Sequence, residues 1–392
     1  MKKNLLLFLY IISLLACCIE VDISVPSFPD MVSYFNTTEA LAQHTVSINF
    51  LGFFISALML GPLADSFGRR PVMLTGNALL MLGAIGCVFA PTIAMLLLAR
   101  FVQGIGAATS AVVVFAMIAD TNKGEGATRL IGMMNCVLTC LMSASPIAGS
   151  YLNEIFGWRG SYGVVAIIST FAWVMLVFAL PETQKSSIPF DTKAFLQNAK
   201  KLLSSLPFLK MSFAPSLLYA AYLSFITSAS FLYMETFKLP MHWYALHQAL
   251  IVGMFALVSL FSGSILKYIG KARCVYFGIG MSMLGALSFV IVSLIQPGAS
   301  LTTVSVSIFA IGAALFYPVV FAQSLEVFPN LKATVTSLIM VKRAVIIALS
   351  TGITAYFYNG SPVVIAIIMS VIVCMSTVLT CFMKIDSNDY LH

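Results

Sequence analysis

The chain has 392 residues, of which 60% are hydrophobic and only 9% are charged. Soluble globular proteins carry about 25% charged residues, so this composition excludes an ordinary water-soluble domain and favours a protein that lies within a bilayer. The formal net charge of +7 does not indicate a nucleic-acid partner, because the basic residues gather in alternate loops. The eight cysteines form no CxxC or Cys/His metal spacing, so neither a metal nor another cofactor is expected.

The first apolar run follows Met1-Lys2-Lys3 and resembles a signal peptide, with a lipoprotein-like cleavage box at residues 14–17. The run continues past that box to Pro26, and further apolar runs follow it. We therefore expect it to be retained as the first transmembrane helix rather than cleaved.

Turn and charge clusters divide the chain into twelve long apolar blocks. A bilayer core needs roughly 20 apolar residues per helix, and long runs favour helices over the short alternating segments of a barrel. The blocks lie near 5–26, 45–65, 71–90, 92–119, 127–152, 161–181, 210–235, 246–266, 273–296, 301–325, 333–357 and 361–384. The predicted fold is an all-α membrane protein with twelve transmembrane helices, six in residues 1–181 and six in 210–392, joined by a cytoplasmic connector over 182–209.

The basic residues predict the orientation in the membrane, because cytoplasmic loops carry an excess of lysine and arginine. If the N-terminus is cytoplasmic, the outer loops hold only Arg159 and Lys238, and the inner side holds most other basic residues. These are Lys2, Lys3, Arg69, Arg70, Lys123, Arg129, Lys185, Lys193, Lys200, Lys201, Lys210, Lys267, Lys271, Arg273, Lys332 and Lys384. Both termini are therefore predicted to be cytoplasmic.

The two halves repeat at an offset of 202 residues. That offset places Gly68 on Gly270, Arg69 on Lys271, and Met81-Leu82-Gly83-Ala84 on Met283-Leu284-Gly285-Ala286. Parallel repeats of six helices, related by a pseudo-two-fold axis, are the architecture of the major facilitator transporters.

The loop at residues 61–71 carries the most specific motif of the chain. It places an aspartate four residues after a glycine, a second glycine three further on, and then two basic residues: Gly61, Asp65, Gly68, Arg69 and Arg70. This pattern resembles the loop motif of the major facilitator superfamily, whose role is in gating. Gly61 would let a neighbouring helix approach closely, Gly68 would permit a sharp turn, and Asp65 would cap a helix or pair with an arginine.

Arg100 lies about 12 Å into the membrane from the outer side, at 1.5 Å per residue from Thr92. A charge at that depth is costly unless it is paired or wetted, so it predicts a buried partner or a function. The stretch from Arg100 to Gln103 is similar to the fourth-helix motif of proton antiporters in the superfamily, which implies proton coupling. A purely structural or snorkelling arginine is the alternative.

The fifth block carries Gly132, Pro146 and Gly149, which resemble part of the antiporter motif of the drug-exporting branch. A proline inside a helix removes a backbone hydrogen bond and kinks it. Leu141, Ser145 and Ser150 stand where that motif has glycines, so a packing kink without export meaning is the alternative.

Glu20 and Asp22 are the only carboxylates inside the first block. The stretch from Asp22 to Pro29 resembles the first helix of Bcr/CflA-type drug:proton antiporters, and Leu180-Pro181-Glu182-Thr183 is similar to that branch as well. On a regular helix, residues i and i+2 point in directions about 200° apart around the helix axis. Only one of the two acids can therefore face a central cavity. The other would face the fourth span or a locally unwound turn. Capping of the outer helix end near the headgroups is the alternative for each.

Lys342 and Arg343 fall about 15 Å beyond Lys332 if the eleventh helix begins there. Either that helix begins later, or the basic pair lines the inner cavity, which would favour an anionic group on the substrate. The sequence leaves both readings open.

The resemblance implies a proton-coupled antiporter of the inner membrane that exports small amphipathic molecules by alternating access, with its substrate cavity between the bundles. The expected partners are a small-molecule substrate, protons and the lipid bilayer, and the expected oligomeric state is a monomer. The alternatives are a dedicated exporter of a siderophore or similar metabolite, an uptake symporter, and a membrane enzyme or receptor. Nucleophile elbows and phosphate loops are missing from the sequence, so an enzyme is not expected.

Overall fold

The computed structural model describes residues 3–121, 125–184, 192–328 and 332–383, and these residues are almost entirely helical. Ten of the described helices have the length and apolar composition needed to cross a bilayer. Both chain ends, including Lys2 and Lys384, lie outside the described residues, as do Lys123 and Lys185.

The chain divides into two compact units, Met1–Thr192 and Lys193–His392. The division falls inside the stretch over 182–209 that the sequence predicts as a connector. We call Met1–Thr192 the first unit and Lys193–His392 the second unit.

The first unit contains seven α-helices among its described residues. They are α1 (Lys3–Ile19), α2 (Phe28–Phe35), α3 (Glu39–Phe67), α4 (Arg69–Phe89), α5 (Ile93–Thr121), α6 (Glu125–Phe156) and α7 (Arg159–Ala179). Helix α5 packs along both α3 and α4. Glycine makes this packing close, since a Cβ at Gly104 would lie 1.9 Å from the carbonyl oxygen of Asn49.

The second unit also contains seven α-helices among its described residues. They are α8 (Thr192–Leu203), α9 (Leu206–Phe231), α10 (Met241–Ile269), α11 (Lys271–Ile295), α12 (Ala299–Glu326), α13 (Lys332–Phe357) and α14 (Pro362–Cys381). Helix α9 packs against α12, α13 and α14, and most of its residues are buried. A π-helical turn over Leu232–Thr236 continues α9.

The twelve predicted blocks correspond to α1, α3–α7 and α9–α14, and the predicted all-α fold class is confirmed. The eleven later blocks agree with the helices to within a few residues, the largest difference being the start of α3 at Glu39 rather than near 45. The short helices α2 and α8 were not predicted.

The first block is helical for a shorter distance than the sequence predicts, because α1 ends at Ile19 rather than near Pro26. Residues 20–24 form turns, held by bonds from the Ile23 N–H to the Ile19 carbonyl at 3.0 Å and from the Ser24 hydroxyl to the Val21 carbonyl at 2.8 Å. A 3₁₀ turn over Val25–Ser27 and then α2 follow, each with a proline in its first turn. Proline has no N–H to donate, so Pro26 and Pro29 each leave one helical hydrogen bond unmade and favour a break near this segment.

Candidate functional site

The unwound segment after α1 brings Glu20 against Arg100 of α5. Both side chains are buried, with exposed fractions of 2% for Glu20 and 0% for Arg100. Arg100 Nη1 lies 3.5 Å from Glu20 Oε2 and donates to Gln103 Oε1 at 2.8 Å. Arg100 Nε donates to the Thr45 carbonyl at 3.3 Å. Arg100 Nη1 also donates to the Glu20 carbonyl at 3.5 Å, so a buried cation has a carboxylate and three neutral oxygens around it.

Asn49 of α3 joins the two members of this ion pair. Its Nδ2 donates to Glu20 Oε2 at 3.2 Å and to the Arg100 carbonyl oxygen at 3.1 Å. The guanidinium of Arg100 also lies over the ring of Tyr162 on α7, 5.7 Å from the ring centroid. Thr45, Asn49 and Tyr162 were missed by the sequence reasoning, since one polar residue in a long apolar helix gives no local signal of its partner.

The pair is not saturated with hydrogen bonds. Arg100 Nη2 and Gln103 Nε2 are buried and have no hydrogen-bond partner among the described residues. These two N–H groups could donate to a further acceptor.

Asp22 occupies a different environment two residues further on. Its side chain is 7% exposed, and among the described residues it makes neither a hydrogen bond nor an ion pair. Because the segment is unwound, the 200° separation of a regular helix does not apply to the two acids. Glu20 lies next to Arg100 of α5, which is the fourth predicted span, whereas Asp22 is buried without a cation beside it among the described residues.

Helix α6 contacts the segment that carries these acids. Pro146 lies inside α6, and Gly149 one turn later approaches so closely that a Cβ there would lie 2.1 Å from the Ile23 carbonyl oxygen. Gly132 lies in the same helix, but its surroundings are outside the described part of the structure. Gly149 of the predicted antiporter motif is thereby next to the segment between Ile19 and Val25.

The predicted gating loop forms a charged cluster at the junction of α3 and α4. Arg69 Nη1 lies 2.6 Å from Asp65 Oδ1, and Arg69 Nε lies 3.0 Å from Asp120 Oδ2 at the end of α5. Gly68 has a φ of 97°, a conformation that residues with a side chain rarely adopt, so the predicted sharp turn is present. The expected close helix approach at Gly61 is wrong, because a Cβ there meets no described atom within 4 Å.

Glu182, just after α7, caps the first turn of α4. Its carboxylate accepts the backbone N–H groups of Arg69 and Arg70, each at 3.0 Å. Gly68 at the helix N-cap has no side chain that could do this. Partial burial by itself would raise the pKa of Glu182, but four backbone N–H donors, those of Gln184, Arg70, Arg69 and Thr183, hold it below its ordinary value. The sequence predicts no such cap, because Glu182 enters there only as part of the stretch that resembles the Bcr/CflA-type branch.

The second unit holds the other two predicted basic residues. Helix α13 begins at Lys332, which removes the alternative of a later start, so Lys342 and Arg343 lie well inside it. The Lys342 ammonium lies 4.2 Å from the centroid of the Phe208 ring and donates to the Ser212 hydroxyl. Arg343 is 6% exposed and lies between the rings of Tyr219 and Tyr317. The two neighbouring cations therefore have separate surroundings.

A sequence-family model matches most of the chain. The family model described as "Major Facilitator Superfamily" matches residues 10–351. The chain belongs to this superfamily. It is therefore a multi-pass membrane transporter of small molecules, and the resemblance of the loop over 61–71 to that family is confirmed.

Curated relatives of the chain carry drug-resistance names. It is 23% identical over 364 residues to the multidrug resistance protein MdtM of Escherichia coli strain K12, covering 91% of this chain and 89% of that protein. It is 26% identical over 317 residues to MdtL of Escherichia coli O81, with coverage of 81% and 79%. The bicyclomycin resistance protein homolog of Haemophilus influenzae is 22% identical over 342 residues, with 86% of each chain covered. These names agree with the predicted resemblance to the Bcr/CflA-type branch.

Solved structures show the same fold at low sequence identity. A D-xylose-proton symporter superposes with a TM-score of 0.78 at 13% identity, covering 97% of this chain and 98% of that chain. A peptide transporter in complex with sulfate gives 0.80 at 14% identity, covering 96% and 93%. At such identities the similarity establishes the fold alone.

Proposed function

We propose that this protein exports small amphipathic compounds, drug-like molecules or metabolites, across the bacterial inner membrane in exchange for protons. The observation that carries the proposal is the buried pair of Glu20 and Arg100, with Asp22 buried two residues away and without a cation. The drug-resistance names of the relatives support the export direction.

The two acids have complementary parts in the proposed cycle. Asp22 has no cation to offset the cost of burying its negative charge, so it is the group that we expect to take up a proton from the outer side. Arg100 and Asn49 favour the charged form of Glu20, because both direct N–H groups to its carboxylate. A proton that reaches Glu20 forms a neutral carboxylic acid, which weakens the attraction to Arg100 and frees the guanidinium for a new arrangement.

Antiport follows if substrate and proton compete for the same protein states. Substrate binding on the inner side would favour release of the proton there, and proton binding on the outer side would favour release of the substrate. The units would change their relative orientation between these two states, as alternating access requires. Gly149 supports this proposal, because its contact with Ile23 couples α6 to the segment that carries both acids.

The first test asks whether the chain exports drug-like compounds at all. Whole cells with and without the gene would be compared for their accumulation of a panel of dyes and antibiotics. We expect lower accumulation of at least one compound in cells that carry the gene, and abolition of the difference by a protonophore. Equal accumulation across the panel, with the protein present in the membrane, would overturn the export proposal.

The second test is Asp22→Asn, which keeps the shape of the side chain and removes its titration. Drug-triggered proton release from purified protein should disappear, while the amount of inserted, folded protein stays the same. Asp30→Asn is the matched control, because Asp30 lies eight residues on, in α2, and pairs with Asn153 rather than occupying the buried segment. Undiminished proton release in the Asp22 variant would show that the coupling residue is elsewhere.

A further inference from the structure

Arg343 is a buried cation without a carboxylate. Only 6% of it is exposed, and none of the ion pairs among the described residues includes it. The described acids of the second unit are Glu235, in the π-helical turn after α9, and Glu326, at the end of α12. Arg100 in the first unit is equally desolvated but has Glu20 at 3.5 Å. A buried arginine without such a partner costs free energy that something else must offset.

Two tyrosines form the immediate surroundings of Arg343. The guanidinium carbon lies 5.2 Å from the ring centroid of Tyr219 on α9 and 5.0 Å from that of Tyr317 on α12. Arg343 Nη2 donates to the Tyr317 hydroxyl, while Arg343 Nε is buried and has no hydrogen-bond partner in the described part of the chain. Phe321 stacks on Tyr317 with ring centroids 5.7 Å apart and an interplanar angle of 13°. The aromatic surface therefore extends beyond the arginine along α12.

These contacts only partly compensate the charge. Cation–π contacts are worth about 0.5–2 kcal/mol each, and a tyrosine hydroxyl is a neutral acceptor, so neither replaces a carboxylate. An arginine has five N–H donors in a planar fork, and the fork matches a carboxylate or another planar oxyanion in a bidentate manner. Tyr219, Tyr317 and Phe321 are only half-buried, so part of each side chain is left uncovered by the protein.

We infer that Arg343, Tyr219 and Tyr317 form a subsite for an organic anion, an oxyanion attached to an aromatic ring. The guanidinium would bind the oxyanion, and the ring of the ligand would pack on Tyr317 and Phe321. This inference rests on the proposed function in that it describes the substrate class of the same transporter, and it favours the acidic members of the compounds proposed above. Lys342 is not part of the subsite, because its ammonium is directed to Phe208 and Ser212.

The test compares two probes that differ only in charge, naphthalene-2-carboxylate and naphthalene-2-carboxamide, by calorimetric titration of the purified full chain at neutral pH. We expect the carboxylate to bind wild-type protein at least about tenfold more tightly than the carboxamide, which is the usual size of one charge-assisted hydrogen bond. Arg343→Gln should remove this preference by weakening the carboxylate alone. Arg343→Lys, which keeps the charge but loses the planar fork, should give an intermediate preference.

Lys210→Gln is the matched control. Lys210 lies in the same unit and also sits over an aromatic ring, 5.6 Å from the centroid of Phe382, but it is only half-buried and its ammonium donates to the Phe382 carbonyl. Its replacement should leave the preference for the carboxylate within about twofold, because Lys210 is not part of the inferred subsite. Equal binding of the two probes by wild-type protein, binding of neither, or an unchanged preference in both Arg343 variants would overturn the inference.

The same titration separates this inference from the proposed function. Drug-triggered proton release, measured on the same wild-type preparation, tests the antiport proposal, and the preference for naphthalene-2-carboxylate tests the subsite. If the wild-type protein binds the carboxylate through Arg343 but drives no proton exchange, the antiport proposal fails and the anion subsite stands. If proton exchange occurs with neutral compounds and no preference for the carboxylate exists, the subsite fails and the antiport proposal stands.

Discussion

The two buried arginines illustrate how a membrane protein treats a charge that it cannot leave in lipid. Arg100 is neutralised by Glu20 from the unwound segment and by acceptors on α3 and α5. Arg343 lies beside two tyrosine rings, and its Nε has no hydrogen-bond partner among the described residues. Each guanidinium therefore has one buried N–H group without a partner among the described residues, and the two cations differ in that only Arg100 has a carboxylate beside it.

We predict that Arg100→Ala destabilises the protein more than the double variant that also carries Glu20→Gln. Removing the arginine alone leaves Glu20 as a buried anion, and breaking a buried pair in this way costs about 3–5 kcal/mol. Removing the charge on Glu20 as well should restore at least about 1 kcal/mol of the lost stability, since the effects of substitutions at residues in direct contact are not additive. The measurement is a double-mutant cycle on thermal unfolding in detergent.

Asp22→Asn is the control for this cycle. Asp22 makes no ion pair among the described residues, so its effect should add to that of Arg100→Ala within about 0.5 kcal/mol. Simple additivity for both acids would mean that Arg100 is solvated rather than paired.

For the buried charges, the sequence predicts the depth of Arg100 in the membrane but does not identify which acid it contacts. The rise of a helix places Arg100 inside the bilayer, and a charge there predicts a partner among the acids of the first block. The sequence does not show whether Glu20 or Asp22 is this partner, because that depends on the chain unwinding after Ile19. Asn49 could not be predicted either, since its role exists only once α3, α5 and the unwound segment are packed together.

The elements themselves follow from hydropathy much more directly. An apolar run of 20 or more residues has few alternatives to a membrane-spanning helix, so the blocks and helices agree. Hydropathy is insensitive to where an apolar run stops being helical, because unwound residues such as Val21 and Ile23 are as apolar as helical ones. For that reason the end of α1, helix α2 and the π-helical turn after α9 were not predicted.

The close contact between α6 and the unwound segment gives a prediction for Gly149→Ala. The added Cβ would meet the backbone oxygen of Ile23 at 2.1 Å, and backbone cannot move away by rotating a side chain. We expect a loss of about 1–3 kcal/mol in unfolding free energy, the usual cost of overpacking, together with a strong reduction of drug-triggered proton release.

Gly163→Ala in α7 is the matched control, because no described atom lies within 4 Å of a Cβ at that position. A glycine-to-alanine change inside an unhindered helix should be neutral or stabilising by up to about 1 kcal/mol. If both variants lose proton release equally, the effect of Gly149 is not due to its contact with Ile23.

For the molecule as a whole, the repeat at an offset of 202 residues relates two turns with the same backbone but different charges. Gly68 and its counterpart Gly270 have φ angles of 97° and 91°, and each separates two long helices. Asp65 corresponds to Lys267, so one turn has an acid where the other has a base. A Cβ on Gly68 would also lie 2.6 Å from Glu182, whereas one on Gly270 meets no described atom within 4 Å. The two halves therefore share a fold and differ in the electrostatics of their loops.

This asymmetry leads to a prediction about Asp65→Asn, namely that transport slows strongly while equilibrium substrate affinity changes little. Asp65 lies twenty residues along α3 from Thr45, which contacts Arg100, so about 30 Å of helix separates it from the proposed proton site. Asp120 still pairs with Arg69 when Asp65 is neutral, and Glu182 still caps α4, so the loop should remain folded. What changes is the charge of the cluster, and with it the balance between access states, by about 1–3 kcal/mol.

Paired measurements of equilibrium binding and of transport rate on the same protein preparations decide this point, with Lys267→Gln as the repeat-related control. We expect the Asp65 variant to lose about fivefold or more in rate, the shift that corresponds to 1 kcal/mol in the balance of states, with its binding constant unchanged within about twofold. Lys267 forms no ion pair among the described residues, so its replacement should alter the rate far less. A binding constant that weakens in step with the rate would instead place Asp65 at the substrate site, and the gating role of the loop over 61–71 would be wrong.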